Sequence, residues 1–105
     1  PGVAIPRRRR NTGRIRAARC YELMLQRTLE RKTFGKLLYQ HGMCQEMISD
    51  SASDLEMARL LTLSCAAHMD EQGAQKARDK IAMIKVAVPE ITLRIVDRAV
   101  QVSYI

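Results

Sequence analysis

Two stretches of the chain repeat apolar residues at every third or fourth position, over a length that only helices accommodate. Cys44, Ile48, Ala52, Leu55, Ala58, Leu61, Cys65 and Met69 follow this spacing, and so do Ile81, Ile84, Val88, Ile91, Ile95, Ala99 and Val102. A period near 3.6 lines such residues along one face of a helix. The pattern predicts a second helix over about 40–71 and a third over about 74–103, with Gly73 as the terminator between them. A first helix is predicted over about 14–32. There Ile15, Ala18, Leu25 and Leu29 form one broad stripe, widened by Leu23 and Met24. A second row on the second helix, Met43, Met47, Leu60 and Leu63, predicts burial on more than one side. Pro89 interrupts the third helix and predicts a kink near 85–89 or a full break. No strand pattern occurs.

With no Trp and Phe34 as the single Phe, the core is built from Leu, Ile, Val, Ala and Met. A length of 105 residues suits one domain. The fold expected is all-α: an up-down helical bundle of three long helices, read as an incomplete four-helix bundle. A third helix this apolar calls for a further neighbour, in a dimer or in a larger protein.

Residues 1–12 read as a basic irregular leader, because Pro1, Gly2, Pro6 and the run Arg7 to Arg10 oppose regular structure. Asn11 or Thr12 is the expected cap of the helix that follows, and residues 13–105 form the bundle domain. Residues 1–36 carry eleven Lys and Arg against Glu22 and Glu30, whereas residues 37–105 carry seven basic and nine acidic residues. Attraction for anions therefore belongs to the first third. Cys20, Cys44 and Cys65 are odd in number and lack a Cys-x-x-Cys pair, so they read as small reduced core residues. No apolar run approaches the roughly 18 residues of a membrane span, and the first residues lack a secretory h-region.

No catalytic set presents itself. His41 and His68 stand far apart without ligand spacing, so no metal site is expected. There is no nucleophile elbow, P-loop or Rossmann glycine pattern. Asp50, Asp54 and Glu56 read as a solvated acidic face. The break Arg31-Lys32-Thr33-Phe34-Gly35 is different. Arg31 supplies a planar fork suited to a phosphate or pyrophosphate. Phe34 is an aromatic platform three residues on, Gly35 permits a tight turn, and Lys36 adds a cation. This is a nucleotide-contact constellation. It is equally a helix terminator with Phe34 buried in the core, and the residues alone leave both readings open.

Longer stretches carry a resemblance. Glu30-Arg31-Lys32-Thr33-Phe34-Gly35-Lys36-Leu37-Leu38 resembles the signature of flavin-dependent acyl-CoA dehydrogenases, in their C-terminal helical domain. Glu56-Met57-Ala58-Arg59-Leu60-Leu61 is similar to that domain's second long helix. Ile81 to Pro89 followed by Val96-Asp97-Arg98-Ala99-Val100-Gln101-Val102 is similar to its third. With His68-Met69-Asp70 before the turn, the wording is most similar to the branch called acyl-CoA dehydrogenase family members 10 and 11. The resemblance implies a C-terminal four-helix bundle beside an N-terminal helical domain and a middle β domain. It implies oxidation of the Cα–Cβ bond of an acyl-CoA, with a carboxylate taking the α proton and hydride passing to FAD. It implies that Arg31 and Phe34 contact FAD across a subunit interface. Gln101 would help hold the FAD of a neighbouring subunit, and Arg14 would lie near the acyl-CoA.

The resemblance further implies a homo-oligomer, dimer or tetramer, or assembly with the rest of a parent enzyme. It also implies an intracellular setting, mitochondrial or peroxisomal, and a role in fatty-acid β-oxidation. The chain departs from the family after Gln101-Val102, where Ser103-Tyr104-Ile105 replaces a glycine-rich segment and further helices. The catalytic carboxylate usually lies there. In some branches it precedes the arginine matching Arg14, a position held here by Gly13. The expectation is a C-terminally truncated domain without a catalytic residue of its own, which binds FAD weakly or not at all when alone. A non-catalytic helical interaction module derived from the family is the alternative. Nucleic-acid binding through Arg7 to Arg10 is a third reading, without a recognised binding fold behind it.

Overall fold

The structure, a computed structural model, describes the backbone of residues 7–104 and the side chains of residues 13–104. Three helices account for most of it: α1 (Arg7–Glu30), α2 (Gly42–Gln72) and α3 (Arg78–Ser103). Helix α1 begins at Arg7, so the irregular leader expected over 1–12 is corrected from residue 7 onward; residues 1–6 lie outside the described part. Arginine is a good helix former, and once the chain is helical at Arg14 nothing in 7–12 breaks it.

The three helices run up, down and up. Thr92 Oγ1 donates to Gly13 O at 3.2 Å, and Arg27 Nη2 donates to Ser103 O at 3.2 Å. Contacts that advance together along both helices make α1 and α3 parallel. Helix α2 runs back between their ends, as Asp54–Arg94 and Ser64–Lys80 contacts show. The Cα envelope measures 59 × 17 × 16 Å, which is about two helix spacings across in each short direction.

Helix α3 buries the stripe its sequence predicts. Ile81, Ile84, Val88, Ile91, Ile95 and Val102 are buried and Ala99 is half-buried. Pro89 does not break the helix, which runs unbroken from Arg78 to Ser103. Pro89 and Lys85 both lie on the exposed side, so water can satisfy the Lys85 carbonyl that proline leaves without a donor.

The other two seams hold in part: Met24 on α1 and Cys44, Ala58 and Cys65 on α2 are buried as expected, with Ile48, Leu55, Leu61 and Met69 packed against the core, and the rest is corrected. On α1 the buried residues are Ala17, Met24 and Thr28, while Ile15 and Leu29 are exposed. On α2 the seam runs through Cys44, Ser51, Asp54, Ala58, Thr62 and Cys65. Its expected second row is not buried: Met43, Leu60 and Leu63 are exposed and Met47 is half-buried. Polar groups tolerate this seam because each finds a partner. Thr62 Oγ1 donates to Ala58 O and Thr28 Oγ1 to Leu25 O, both at 2.8 Å.

The core has two parts. A long one joins Ala17, Ala58 and Cys65 to the α3 isoleucines. A short one at the far end joins Met24, Leu38, Cys44 and Val102. All three cysteines are free; Cys44 and Cys65 are buried and burial pushes the Cys44 thiol up, as the core reading requires. Among the described residues no helix is long and apolar enough to cross a membrane.

Candidate functional site

The break after α1 folds as a hairpin, which the sequence reading did not foresee. Strands β1 (Lys32–Thr33) and β2 (Lys36–Leu37) pair antiparallel, Thr33 opposite Lys36 and Lys32 opposite Leu37. Phe34 and Gly35 are the two central residues, with φ of +54° and +78°. Positive φ at both is the signature of a type I′ turn, whose twist suits a two-residue hairpin. Leu38 N donates to Arg31 O at 2.8 Å and closes the base. His41 Nε2 donates to Thr33 O at 3.0 Å and ties the hairpin to the start of α2. Leu38, in a short 3-10 turn over Leu38–Gln40, is the plug that seats the hairpin in the short core.

This geometry removes one of the two readings of Phe34. The ring is 94% exposed, so it is not a core residue that stops a helix. Arg31, Lys32 and Lys36 are also exposed and make no ion pair among the described residues. The hairpin region therefore carries three exposed cations and an exposed aromatic ring. That donor set suits a pyrophosphate beside a flat ring.

Gln101 belongs to the same end of the bundle. It precedes Val102, which packs against Leu38 at the hairpin base. It lines an open groove between the start of α2 and the end of α3, with Glu46, Asp50, Arg94, Asp97 and Arg98. Its Nε2 donates to Asp97 Oδ2 at 2.8 Å. Arg31, Phe34 and Gln101 are thus gathered at one end, whereas Arg14 is not. Arg14 sits 16 residues before the end of α1, about 24 Å away along the axis.

Two further features escaped the sequence. Asp54 is not on a solvated face. It is buried on α2 and accepts from Arg98 Nη1 at 2.7 Å and from Arg94 Nη2 at 3.2 Å, both on α3. Burial pushes the Asp54 carboxyl up, but the hydrogen bonds and charges of Arg94 and Arg98 outweigh it and leave the group below the usual carboxylate range. The partners lie some forty residues away along the chain, and no local pattern announces them. The second is Gly13. A Cβ there would stand 2.9 Å from Val88 Cγ1, so α1 meets α3 too closely for a side chain. The position that holds a carboxylate in some branches of the resembled family is here a helix-packing contact. His41 and His68 stand 27 residues apart, about 40 Å along α2, and no three His, Cys, Asp or Glu side chains cluster to hold a metal among the described residues.

The fold and its hairpin define a class first: a three-helix bundle with exposed cations and an exposed aromatic ring at one end. Residues 10–103 match the family model described as acyl-CoA dehydrogenase, C-terminal domain. The chain is similar to the probable acyl-CoA dehydrogenase IBR3 of Arabidopsis thaliana, 48% identical over 82% of this chain and 10% of the relative. It is similar to acyl-CoA dehydrogenase family member 11 of Gallus gallus, 44% identical over 77% of this chain and 10% of the relative. It is 36% identical to the probable acyl-CoA dehydrogenase FadE2 of Mycobacterium tuberculosis, over 96% of this chain and 27% of the relative. The chain belongs to the acyl-CoA dehydrogenase family, through its C-terminal domain. It spans about a tenth of the length of the plant and avian relatives.

Proposed function

We propose that this domain serves an FAD-dependent acyl-CoA dehydrogenase by presenting Arg31 and Phe34 to the FAD of a partner subunit, with Gln101 as a further contact. The observation that carries the proposal is the state of Phe34. A bulky apolar side chain is 94% exposed at φ +54°, touches no core, and sits among uncompensated cations. Folding alone favours Asn or Gly at such a turn position. A residue kept against that preference has its contact outside the chain. FAD, when bound, supplies the hydride acceptor for α,β-dehydrogenation of an acyl-CoA. The residues of this chain bind and orient: Arg31, Lys32 and Lys36 hold phosphate charge, Phe34 covers an aromatic ring, and Gln101 hydrogen-bonds.

The domain needs a partner surface to do this. Gly13 carries no base, and Arg14 lies 16 residues before the end of α1, about 24 Å from the hairpin along the axis. The outer side of α3 supports the same view, since Val86, Leu93 and Val100 are 62%, 69% and 48% exposed along one stripe. That stripe also supports the second reading, a non-catalytic interaction module.

The test measures FAD binding by the purified chain through flavin fluorescence, with acyl-CoA turnover assayed beside it against an artificial electron acceptor. Weak binding is expected, reduced about tenfold by Phe34→Ala through loss of one stacking contact, and no turnover. Turnover that survives repurification, or binding indifferent to Phe34→Ala and Arg31→Gln, would defeat the proposal. Co-sedimentation with a full-length relative separates the readings, because a module with no cofactor role associates without any dependence on Phe34.

A further inference from the structure

Helix α3 carries two apolar stripes, and the bundle uses one of them. The buried stripe, from Ile81 to Val102, faces α1 and α2. The other faces away. Val86, Leu93 and Val100 recur every seven residues, and Ala82, Pro89 and Val96 do the same between them. The steps alternate between four and three residues, which is the spacing of a two-helix coiled-coil seam. All six are exposed except Val96, which is half-buried. At about 100° per residue the row through Leu93 stands nearly opposite the buried row through Ile91 and Ile95. A helix laid along it therefore clears α1 and α2.

The flanks of this seam decide what kind of helix suits it. Lys85 lies beside the seam on one flank and Glu90 on the other, both exposed. Neither makes an ion pair among the described residues. Arg94, one turn on from Glu90, is turned instead to Asp54 at 3.2 Å. In a parallel, in-register pair of helices, a residue just before a seam position faces the opposite flank of its partner about five residues on. Lys85 of one copy then meets Glu90 of the other, and the two-fold symmetry makes that contact twice. An antiparallel pair that packs the same rows brings like flanks together. Glu90 then faces Glu90, and Lys85 faces Ala99. Charge thus favours a second copy of this chain, and it favours one orientation of that copy.

We infer that two copies of this chain pair side by side through the outer stripe of α3, parallel and in register, with Lys85 of each bound to Glu90 of the other. The surface runs along the side of the bundle and involves neither the hairpin nor Gln101, so the inference does not rest on the cofactor reading. Because α1 runs parallel to α3, both hairpins stand at the same end of the pair.

The test is sedimentation equilibrium of the full chain in low salt at about 100 μM, where an interface at the small end of the range still associates. A dimer is expected. Leu93→Lys should weaken it about tenfold or more, because each copy then brings a charge into the seam. Lys85→Glu and Glu90→Lys each turn two attractions into two repulsions and should each weaken it about tenfold. The double variant Lys85→Glu with Glu90→Lys restores both pairs and should return to within about twofold of the parent. All these positions are exposed, and circular dichroism confirms that each variant is folded. A monomeric parent chain, a Lys85→Glu variant that dimerises like the parent, or a double variant as weak as the single ones would overturn the inference. A chain that stays monomeric yet binds a full-length relative through Leu93 gives the stripe to a different occupant and overturns it equally.

Discussion

Phe34 holds a φ of +54° in a turn whose other central residue is glycine. A Cβ in that region meets the neighbouring carbonyl, and a bulky side chain there costs on the order of 1 kcal/mol. Nothing in the fold recovers the cost, because the ring lies in solvent. Gly13 is the opposite case, a residue chosen for what it lacks. A Cβ would meet Val88 Cγ1 at 2.9 Å. Valine in a helix has one strongly preferred rotamer and yields little. Gly13→Ala gains about 1 kcal/mol of helix propensity but forces α1 off α3, which costs roughly 1–3 kcal/mol. The expected outcome is net destabilisation in urea, partly relieved when Val88→Ala is added. A stabilised Gly13→Ala chain would show that the two helices do not approach this closely.

At the scale of the elements, Asp54 joins α2 to α3 through Arg94 and Arg98. Asp54→Asn keeps the shape and removes the charge, leaving two guanidinium groups short of their acceptor. The expected loss is about 2 kcal/mol at neutral pH. The pH dependence has a definite sign. The folded carboxyl is held below its ordinary value by Arg94 and Arg98, against the opposing push of burial. Its contribution is therefore fully present above the unfolded value of about 3.9 and is lost as pH falls through the lower folded value. Unfolding curves of parent and Asp54→Asn should differ at pH 6 and converge toward pH 2. Curves that stay parallel would remove Asp54 from the account.

The same elements show what was legible in the sequence. The stripe of α3 was readable because every member is apolar and all but Ala99 are large and buried. On α2 the apolar part of the seam was readable through Cys44, Ala58 and Cys65, but its polar members were not, because Ser51, Asp54 and Thr62 are buried only by virtue of partners on other turns or on another helix. On α1 the large residues Ile15 and Leu29 drew the stripe to the wrong side, while small Ala17 and polar Thr28 took the interior. The hairpin has two residues per strand, too few for alternation to show, although Phe34-Gly35 marked the place where the chain turns. Arg31 and Phe34 stood out locally as one of two open readings, whereas Gln101 entered only through resemblance to a family, since nothing local links a hairpin tip to a residue some seventy positions on.

At the scale of the whole molecule, three helices leave one side of α3 without cover. Val86, Leu93 and Val100 lie about two turns apart and face water. Apolar residues in such a row are more than the scattered exposure of an ordinary surface. Leu93→Lys should leave the domain's own stability within about 0.5 kcal/mol, as for an exposed position. It should also weaken association with a full-length relative in sedimentation. Equal association with and without the lysine would mean that this side is not a contact surface. The long shape fits a domain that works at its edges, with the basic hairpin at one end and the apolar stripe along one side.

The central claim is that the hairpin keeps Phe34 for a ligand at the expense of the fold. The variant Phe34→Asn tests both halves in one preparation, because asparagine accepts positive φ but offers no aromatic face. Thermal unfolding and FAD binding are measured on the same sample. The account predicts a midpoint raised by about 5 °C and FAD binding weakened about tenfold. A lower midpoint, or FAD binding as strong as in the parent chain, would contradict it.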